Sequence, residues 1–318
     1  MKPLAIIAFF DGRPGHEKQT RGVLAALARL TSLTVAERRV DRPGAVTTAG
    51  RWLGYLAGTV VGRRPEQAPA ADLIIGTGTS THIPMLLAKK RWGGRAVTCM
   101  TPNRPLARAF DLCFVPRHDR TRPAANIVFT TGPPNPLVYG TGHDPNQGLV
   151  LVGGVDPKSH VWHTDDVVDR IACMIEKEPD RHWTLASSPR TPEETEARLD
   201  RLARDRPTVS FFRAADTLPG WIEKAYGQSA VVWVTADSIS MVYEALSAGC
   251  RVGILPVAWK RRRGKFQRSE NYLLENRLVT SYETWLENGR MADRPPRLDE
   301  AGRCAEEILR RWWPDRLP

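Results

Sequence analysis

The sequence predicts an α/β chain of two Rossmann-like domains that face each other across a cleft. Three observations lead there. Short apolar runs alternate with helix-period segments from the first residues onward, the pattern of parallel sheets with crossover helices. The chain has 318 residues, long for one core and comfortable for two. A stretch rich in Pro and Gly, residues 131–148, separates two series that open alike, with a strand, a glycine-bearing turn and a helix.

Leu4 to Phe10 reads as the first strand. A helix over 16–30 follows, with Val23, Leu24, Leu27 and Leu30 at helical spacing. Leu33 to Val40 is a second strand, and Asp72 to Gly76 a buried one. A polar turn then leads into a helix from Ile83 to Lys90. Ala96 to Met100, Leu112 to Val115 and Asn126 to Thr130 complete this series. Past the linker, Leu149 to Gly153 starts afresh. Helix 165–177, strand 182–186, helix 191–204 and strand 208–212 come next, then a strand–helix–strand unit from Ala230 to Pro256. The expected domains are 1–147 and 148–318, with a last helix at about 297–313 packing back on the first domain. The apolar start, Leu4-Ala5-Ile6-Ile7-Ala8-Phe9-Phe10, lacks a small-residue cleavage pattern and reads as a buried strand.

Composition is ordinary for a globular protein, 42% hydrophobic and 25% charged. No run of eighteen apolar residues exists, so no membrane-spanning helix is expected. The five cysteines are widely spaced with no C-x-x-C pair, which favours reduced core thiols over a zinc site. Charge is uneven. Residues 1–147 hold 20 Lys+Arg against 9 Asp+Glu, and residues 148–318 hold 26 of each. An anionic partner for the first half is one reading, and a solvated basic surface is the other.

The most informative stretch runs from Ala230 to Pro256. Asp237 and Ser238 stand where N-caps belong and Gly249 where a left-handed stop belongs. A helix N-terminus with hydroxyls at the carboxyl end of a buried parallel strand suits a diphosphate. Glu244, two turns on, is placed to reach a ribose diol. Gly153-Gly154 lets backbone approach a phosphate, and Lys158 adds a donor; a plain tight turn explains the glycines equally well.

In the first half, Asp11-Gly12-Arg13-Pro14-Gly15-His16 follows the first strand. His16 is the candidate base, since an imidazole pKa near about 6.5 suits proton removal from a hydroxyl. Asp11 is the runner-up, or the residue that orients His16. Arg13, Lys18 and Gln19 then line the acceptor side. Gly78, Thr79 and Ser80 offer N–H and hydroxyl groups for a second phosphate, or simply make a turn; His82 reads as structural. Arg51-Trp52-Leu53-Gly54-Tyr55 and the residues to Arg64 suit a membrane interface or a core helix, and periodicity does not separate the two. The basic run Lys260 to Lys265 reads as a loop closing over donor phosphates or as a solvated loop. Aromatic interleaving is poor around it, so nucleic acid is not expected.

The motifs Asp11 to Thr20, Gly76 to Ser80 and Asp237 to Ala245 resemble the plant mitochondrial-fission family and its bacterial relatives, over nearly the whole chain. The paired domains are similar to the GT-B glycosyltransferase architecture. The chain also distantly resembles the N-acetylglucosaminyltransferase that forms lipid II, in its Gly-His turn, its Ser…Glu-Ala helix and Phe266-Gln267-Arg268-Ser269-Glu270-Asn271. These resemblances imply that Ser238 and Ser240 hold a diphosphate, that Glu244 accepts from ribose, and that Gln267 and Asn271 meet sugar hydroxyls. They imply a sugar transferase; with no H-E-x-x-H, no paired cysteines and no strand-flanked D-x-D motif in the sequence, neither metal nor cofactor is expected. Its donor would be a nucleotide sugar and its acceptor anionic or lipid-linked, a membrane lipid or cell-envelope glycan. The setting would be cytoplasmic, with peripheral contact on the inner face of the membrane through the first domain. The alternative is a non-catalytic adaptor that keeps the fold. A sugar-nucleotide epimerase is disfavoured here, because no G-x-x-G-x-x-G loop and no Tyr-x-x-x-Lys pair is present.

Overall fold

The computed structural model describes residues 1–41, 50, 52–55, 70–260, 264–293 and 296–317. Most of 51–64, and Arg261 to Arg263 of the basic run, lie outside the described residues. The chain divides into two units, Met1–Pro136 with Asp299–Pro318, and Leu137–Leu298.

In unit 1, six strands form one parallel sheet: β1 (Leu4–Phe10), β2 (Leu33–Arg39), β3 (Leu73–Gly76), β4 (Arg95–Thr98), β5 (Leu112–Pro116) and β6 (Ile127–Thr130). Their order is β2-β1-β3-β4-β5-β6. Alternation along the strands supplies two cores. Leu4, Ile6, Ala8 and Phe10 pack on helices Pro14–Leu30 and Glu300–Trp312, whereas Phe9, Ile74, Ala96 and Cys113 pack on helix Thr79–Trp92. The final helix is therefore part of unit 1: Cys304, Ile308 and Leu309 join Val23 and Leu27 in one cluster. Asp299 caps it by accepting from the Gly302 N–H at 2.7 Å. Trp52 and Tyr55, the described part of the 51–64 segment, pack against the second cluster.

Unit 2 holds β7 (Asp144–Leu151), β9 (His182–Ala186), β10 (Val209–Phe212), β11 (Ser229–Thr235), β12 (Arg251–Leu255) and β14 (Thr280–Ser281), all parallel in the order β10-β9-β7-β11-β12-β14. A two-stranded ribbon pairs β8 (His160–Val161) with β13 (Ala258–Trp259). Helices Thr164–Lys177, Glu193–Arg204, Trp221–Gln228, Ile239–Ala248, Lys265–Glu275 and Tyr282–Asn288 complete it. One apolar cluster spans the unit, with Trp183, Trp233 and Trp285 fully buried.

Several boundaries differ from the sequence reading. The units divide at 136/137, whereas the sequence reading divides the chain at 147/148. Asp144–Gln147 already belong to a strand, and the Gly140 N–H bonds the Ala248 carbonyl at 2.9 Å. Gly148 is no linker glycine: a Cβ there would meet the Trp183 ring at 2.4 Å. The helix expected from Ile83 starts at Thr79, with Pro84 inside it. Helix Trp221–Gln228 and the β8–β13 ribbon have no counterpart in the sequence reading.

Candidate functional site

Each sheet has one point where the chain turns from winding one way to winding the other, and ligands of open α/β sheets bind in the crevice there. In unit 1 it lies between β1 and β3; in unit 2 it lies between β7 and β11. Both carry motifs singled out from sequence.

At the first, Asp11 leaves β1 and Gly78 leaves β3. The Asp11 side chain is 1% exposed and accepts from His16 Nδ1 at 2.8 Å, Ser80 Oγ at 3.2 Å and the Arg13 N–H at 3.1 Å. Burial would raise the Asp11 carboxyl. The hydrogen bond and charge of His16, with Arg13 and Ser80, outweigh burial and hold the group below its ordinary range. A carboxylate only accepts, so the shared proton sits on His16 Nδ1, and in the neutral imidazole it is Nε2 that carries the lone pair. Gly78 makes the approach possible: at φ +112° its Cβ would fall 2.3 Å from Asp11 Oδ2 and 2.7 Å from His16 Nδ1. Ser80 thus spends its hydroxyl on Asp11, where sequence assigned it to an acceptor. Arg13 and Thr79 are exposed, and Gln19 donates to the Gly15 carbonyl. Lys18 lies on the same helix as His16. His82, fully buried, is pushed down to about 4 by burial and then by His16, and its Nδ1 has no partner among the described residues.

At the second point, Gly153 and Gly154 leave β7 while Asp237 and Ser238 leave β11. Here the structure departs from the expected roles. Asp237 and Ser238 make no side-chain cap to helix Ile239–Ala248. The buried Asp237 carboxylate instead accepts from the Gly154 N–H at 3.0 Å, Arg190 Nη2 at 2.9 Å and Ser238 Oγ at 3.1 Å. Ser238 is 3% exposed and also accepts from Arg190 at 3.0 Å, so its hydroxyl is already engaged. The N–H and the guanidinium satisfy Oδ2 of the buried carboxylate, while Oδ1 has no hydrogen-bond partner among the described residues. Gly153 is needed for this closeness: a Cβ would lie 2.1 Å from Asp237 Oδ2. What faces outward is Arg190, with a side chain 41% exposed, exposed Ser240, and the first-turn N–H groups of Ile239 and Ser240, which have no partner among the described residues.

Sequence reasoning missed Arg190. The signal was a polar turn, Ser187-Ser188-Pro189-Arg190-Thr191, after the strand that neighbours β7; Ser188 donates to the Gly153 carbonyl at 2.6 Å. It also missed His160. Asp156 accepts from Ser159 Oγ, Ser159 meets His160 Nδ1 at 2.8 Å, and the ring lies 4.0 Å from Trp259. Burial lowers the imidazole against the raising charges of Asp237 and Asp156. Lys158 is exposed beside this ribbon, and Lys260 Nζ donates to Pro157. Glu244 is buried with Tyr226 hydroxyl at 3.5 Å, and burial followed by the Glu244 charge raises that phenol. Gln267 and Asn271 lie on helix Lys265–Glu275, which is tied to helix Ile239–Ala248 by a 2.8 Å bond between Tyr243 and Ser269.

Two six-stranded parallel sheets with their own helices define a chain of GT-B-like fold. It belongs to the mitochondrial fission ELM1 family, whose model matches residues 14–312. No curated protein sequence matches it significantly. Among solved structures it is similar in fold to a putative UDP-N-acetylglucosamine 2-epimerase from Listeria monocytogenes (14% identity, 97% of this chain and 95% of that one, TM-score 0.61). It is similar also to the UDP-GlcNAc 2-epimerase from Neisseria meningitidis bound to UDP-GlcNAc (12%, 97% and 99%, 0.54). The glycotransferase of kitacinnamycin gives 13% identity, full coverage of both chains and a TM-score of 0.55. Proteins named as epimerases and one named as a glycotransferase therefore share this fold, so the fold by itself does not separate epimerisation from transfer.

Proposed function

We propose that the protein is a glycosyltransferase that moves a sugar from a nucleoside-diphosphate sugar to the hydroxyl of an anionic or lipid-linked acceptor. The observation that carries this reading is the Asp11–His16 pair at the switch point of unit 1. A sequestered carboxylate orients the imidazole and stabilises its charge once Nε2 takes the acceptor proton. Oxygen then attacks the anomeric carbon, and the nucleoside diphosphate departs with the electron pair of the broken bond. Unit 2 supplies its site. Arg190, Ser240 and the Ile239 and Ser240 N–H groups meet the diphosphate charge with no metal invoked. Gly153, Gly154, Lys158, Asp237 and Ser238 frame that turn. Glu244 takes the ribose and Gln267 and Asn271 the sugar, as the family resemblance implies. Arg13, Lys18, Gln19, Gly78 and Thr79 belong to the acceptor side. In this reading the protein works in the cytoplasm, peripherally at the membrane.

Calorimetric titration with UDP, GDP, ADP and CDP tests the donor site. One of them should bind, and Arg190→Gln and Glu244→Ala should each weaken it about tenfold or more, the worth of a charged hydrogen bond. His16→Ala should keep that affinity and lose turnover, read as nucleoside diphosphate released from the matching sugar nucleotide. Absence of any nucleotide binding, or equal affinities in wild type and Arg190→Gln, would overturn the site. Binding without turnover would favour the adaptor, and an isomerised sugar nucleotide with no release would favour epimerisation, which the fold also supports.

A further inference from the structure

Unit 1 contains a second feature that the transfer reading does not use. A cavity of about 620 Å³ lies along the crossovers that follow β4 and β5, lined by Arg104, Arg108, Arg120 and Arg122 with Thr101 and Asp119 among its walls. All four arginines are exposed, and none makes a side-chain hydrogen bond or ion pair among the described residues. The lone lining carboxylate, Asp119, already accepts from Thr101 Oγ1 at 2.7 Å. Four guanidiniums around one space with a single carboxylate repel each other on balance and gain by sharing a further anion.

The walls are built and braced. The Thr101–Asp119 bond joins the segment after β4 to the segment after β5. Asn126 Nδ2 donates to the Ala107 and Phe110 carbonyls at 2.8 and 2.9 Å, fixing the stretch that carries Arg104 and Arg108. Arg120 sits in the left-handed region at φ 51°, ψ 38°, a conformation that costs a residue with a Cβ about 1–2 kcal/mol. Such strain persists where its surroundings hold it, commonly at binding sites. The excess positive charge of the chain lies wholly in residues 1–147, and five arginines between 104 and 122 supply much of it.

We propose that this cavity binds a phosphate-bearing ligand, a phosphomonoester or diphosphate held by Arg104, Arg108, Arg120 and Arg122. Planar guanidiniums match phosphate oxygens in pairs. Its assignment as the phosphate of the sugar acceptor rests on the transferase reading; the binding itself does not. The shared chemistry has two sources, a soluble phosphate ester and an anionic lipid headgroup.

Calorimetry with inorganic pyrophosphate and no nucleotide reads the site directly on wild type, Arg104→Gln/Arg120→Gln and Arg190→Gln. Arg190→Gln should keep the pyrophosphate isotherm of this cavity, losing at most a separate one from unit 2, and the double variant should lose at least tenfold at the cavity with an unchanged circular dichroism spectrum. Flotation with phosphatidylcholine vesicles, with and without phosphatidic acid, separates the sources. Acid-dependent flotation that pyrophosphate reverses assigns a lipid headgroup, and pyrophosphate binding without flotation assigns a soluble ester. Unchanged affinity in the double variant, loss confined to Arg190→Gln, or pyrophosphate displaced by a single-stranded oligonucleotide that binds more tightly would overturn the proposal. Failure of the transferase reading shows separately, as absent nucleoside diphosphate binding or turnover.

Discussion

Gly78→Ala should dislodge the Asp11–His16 pair and destabilise unit 1. The new Cβ would sit 2.3 Å from Asp11 Oδ2 and 2.7 Å from His16 Nδ1, about 1 Å inside ordinary van der Waals separation. Overpacking of this kind costs about 1–3 kcal/mol, and a side chain at φ +112° adds a backbone cost of about 1–3 kcal/mol. Asp11 has nowhere to go, with 1% of its side chain exposed, whereas His16 at 24% can swing outward. The relaxed cost should therefore fall near the lower end, about 2–3 kcal/mol in all. For a domain of this size that lowers the midpoint of thermal unfolding by about 4–12 °C. Gly15→Ala is the control, because its Cβ meets nothing within 4 Å; it should melt with wild type or slightly above. Imidazole nitrogen spectra at constant pH report whether His16 keeps its proton on Nδ1. A Gly78→Ala protein that melts with wild type and retains that tautomer would refute the reasoning.

Three further outcomes are expected. Asp11 titrates below its ordinary value, so its contribution to stability is complete above the unfolded carboxylate pKa and drains away as pH falls through the lowered folded one. Asp11→Asn should cost about 1.5–3 kcal/mol near neutrality and flatten that acid limb; urea midpoints with the same pH slope in both proteins would contradict this. Asp299→Ala removes the cap on helix Glu300–Trp312 and should cost about 1 kcal/mol, recovered by Asp299→Ser, as thermal unfolding would register. Tyr243→Phe leaves the buried Ser269 hydroxyl without the 2.8 Å bond that ties two helices, a loss of about 1–3 kcal/mol. Adding Ser269→Ala should return much of it, and a double variant no more stable than the single would show that the bond is not the cause.

Much of the fold was legible in sequence. Apolar runs such as Leu4–Phe10 and Ala230–Val234 are buried or half-buried along their length, and helix segments between them repeat at helical spacing, so the parallel α/β class follows from local pattern alone. Boundaries were less legible where long-range pairing decides them. Asp144–Gln147 look like turn residues and become strand because Ser229 and His182 lie alongside. Gly148 looks like a linker glycine and is set by an indole on the next strand.

The candidate site divides in the same way. Residue types at strand ends, Asp11 with His16 and Asp237 with Ser238, are sequence information, because a helix N-terminus after a parallel strand announces itself locally. Which partners those side chains take is not. Ser80 turns to Asp11 across 69 residues, and Arg190 reaches Asp237 across 47. Both contacts arise because sheet order brings β3 beside β1, and β9 and β11 to either side of β7. Sequence alone determined that polar turns end buried strands. Only the tertiary structure decided that Asp237 and Ser238 face inward to a guanidinium, since a buried carboxylate must be neutralised by whatever donor the fold delivers.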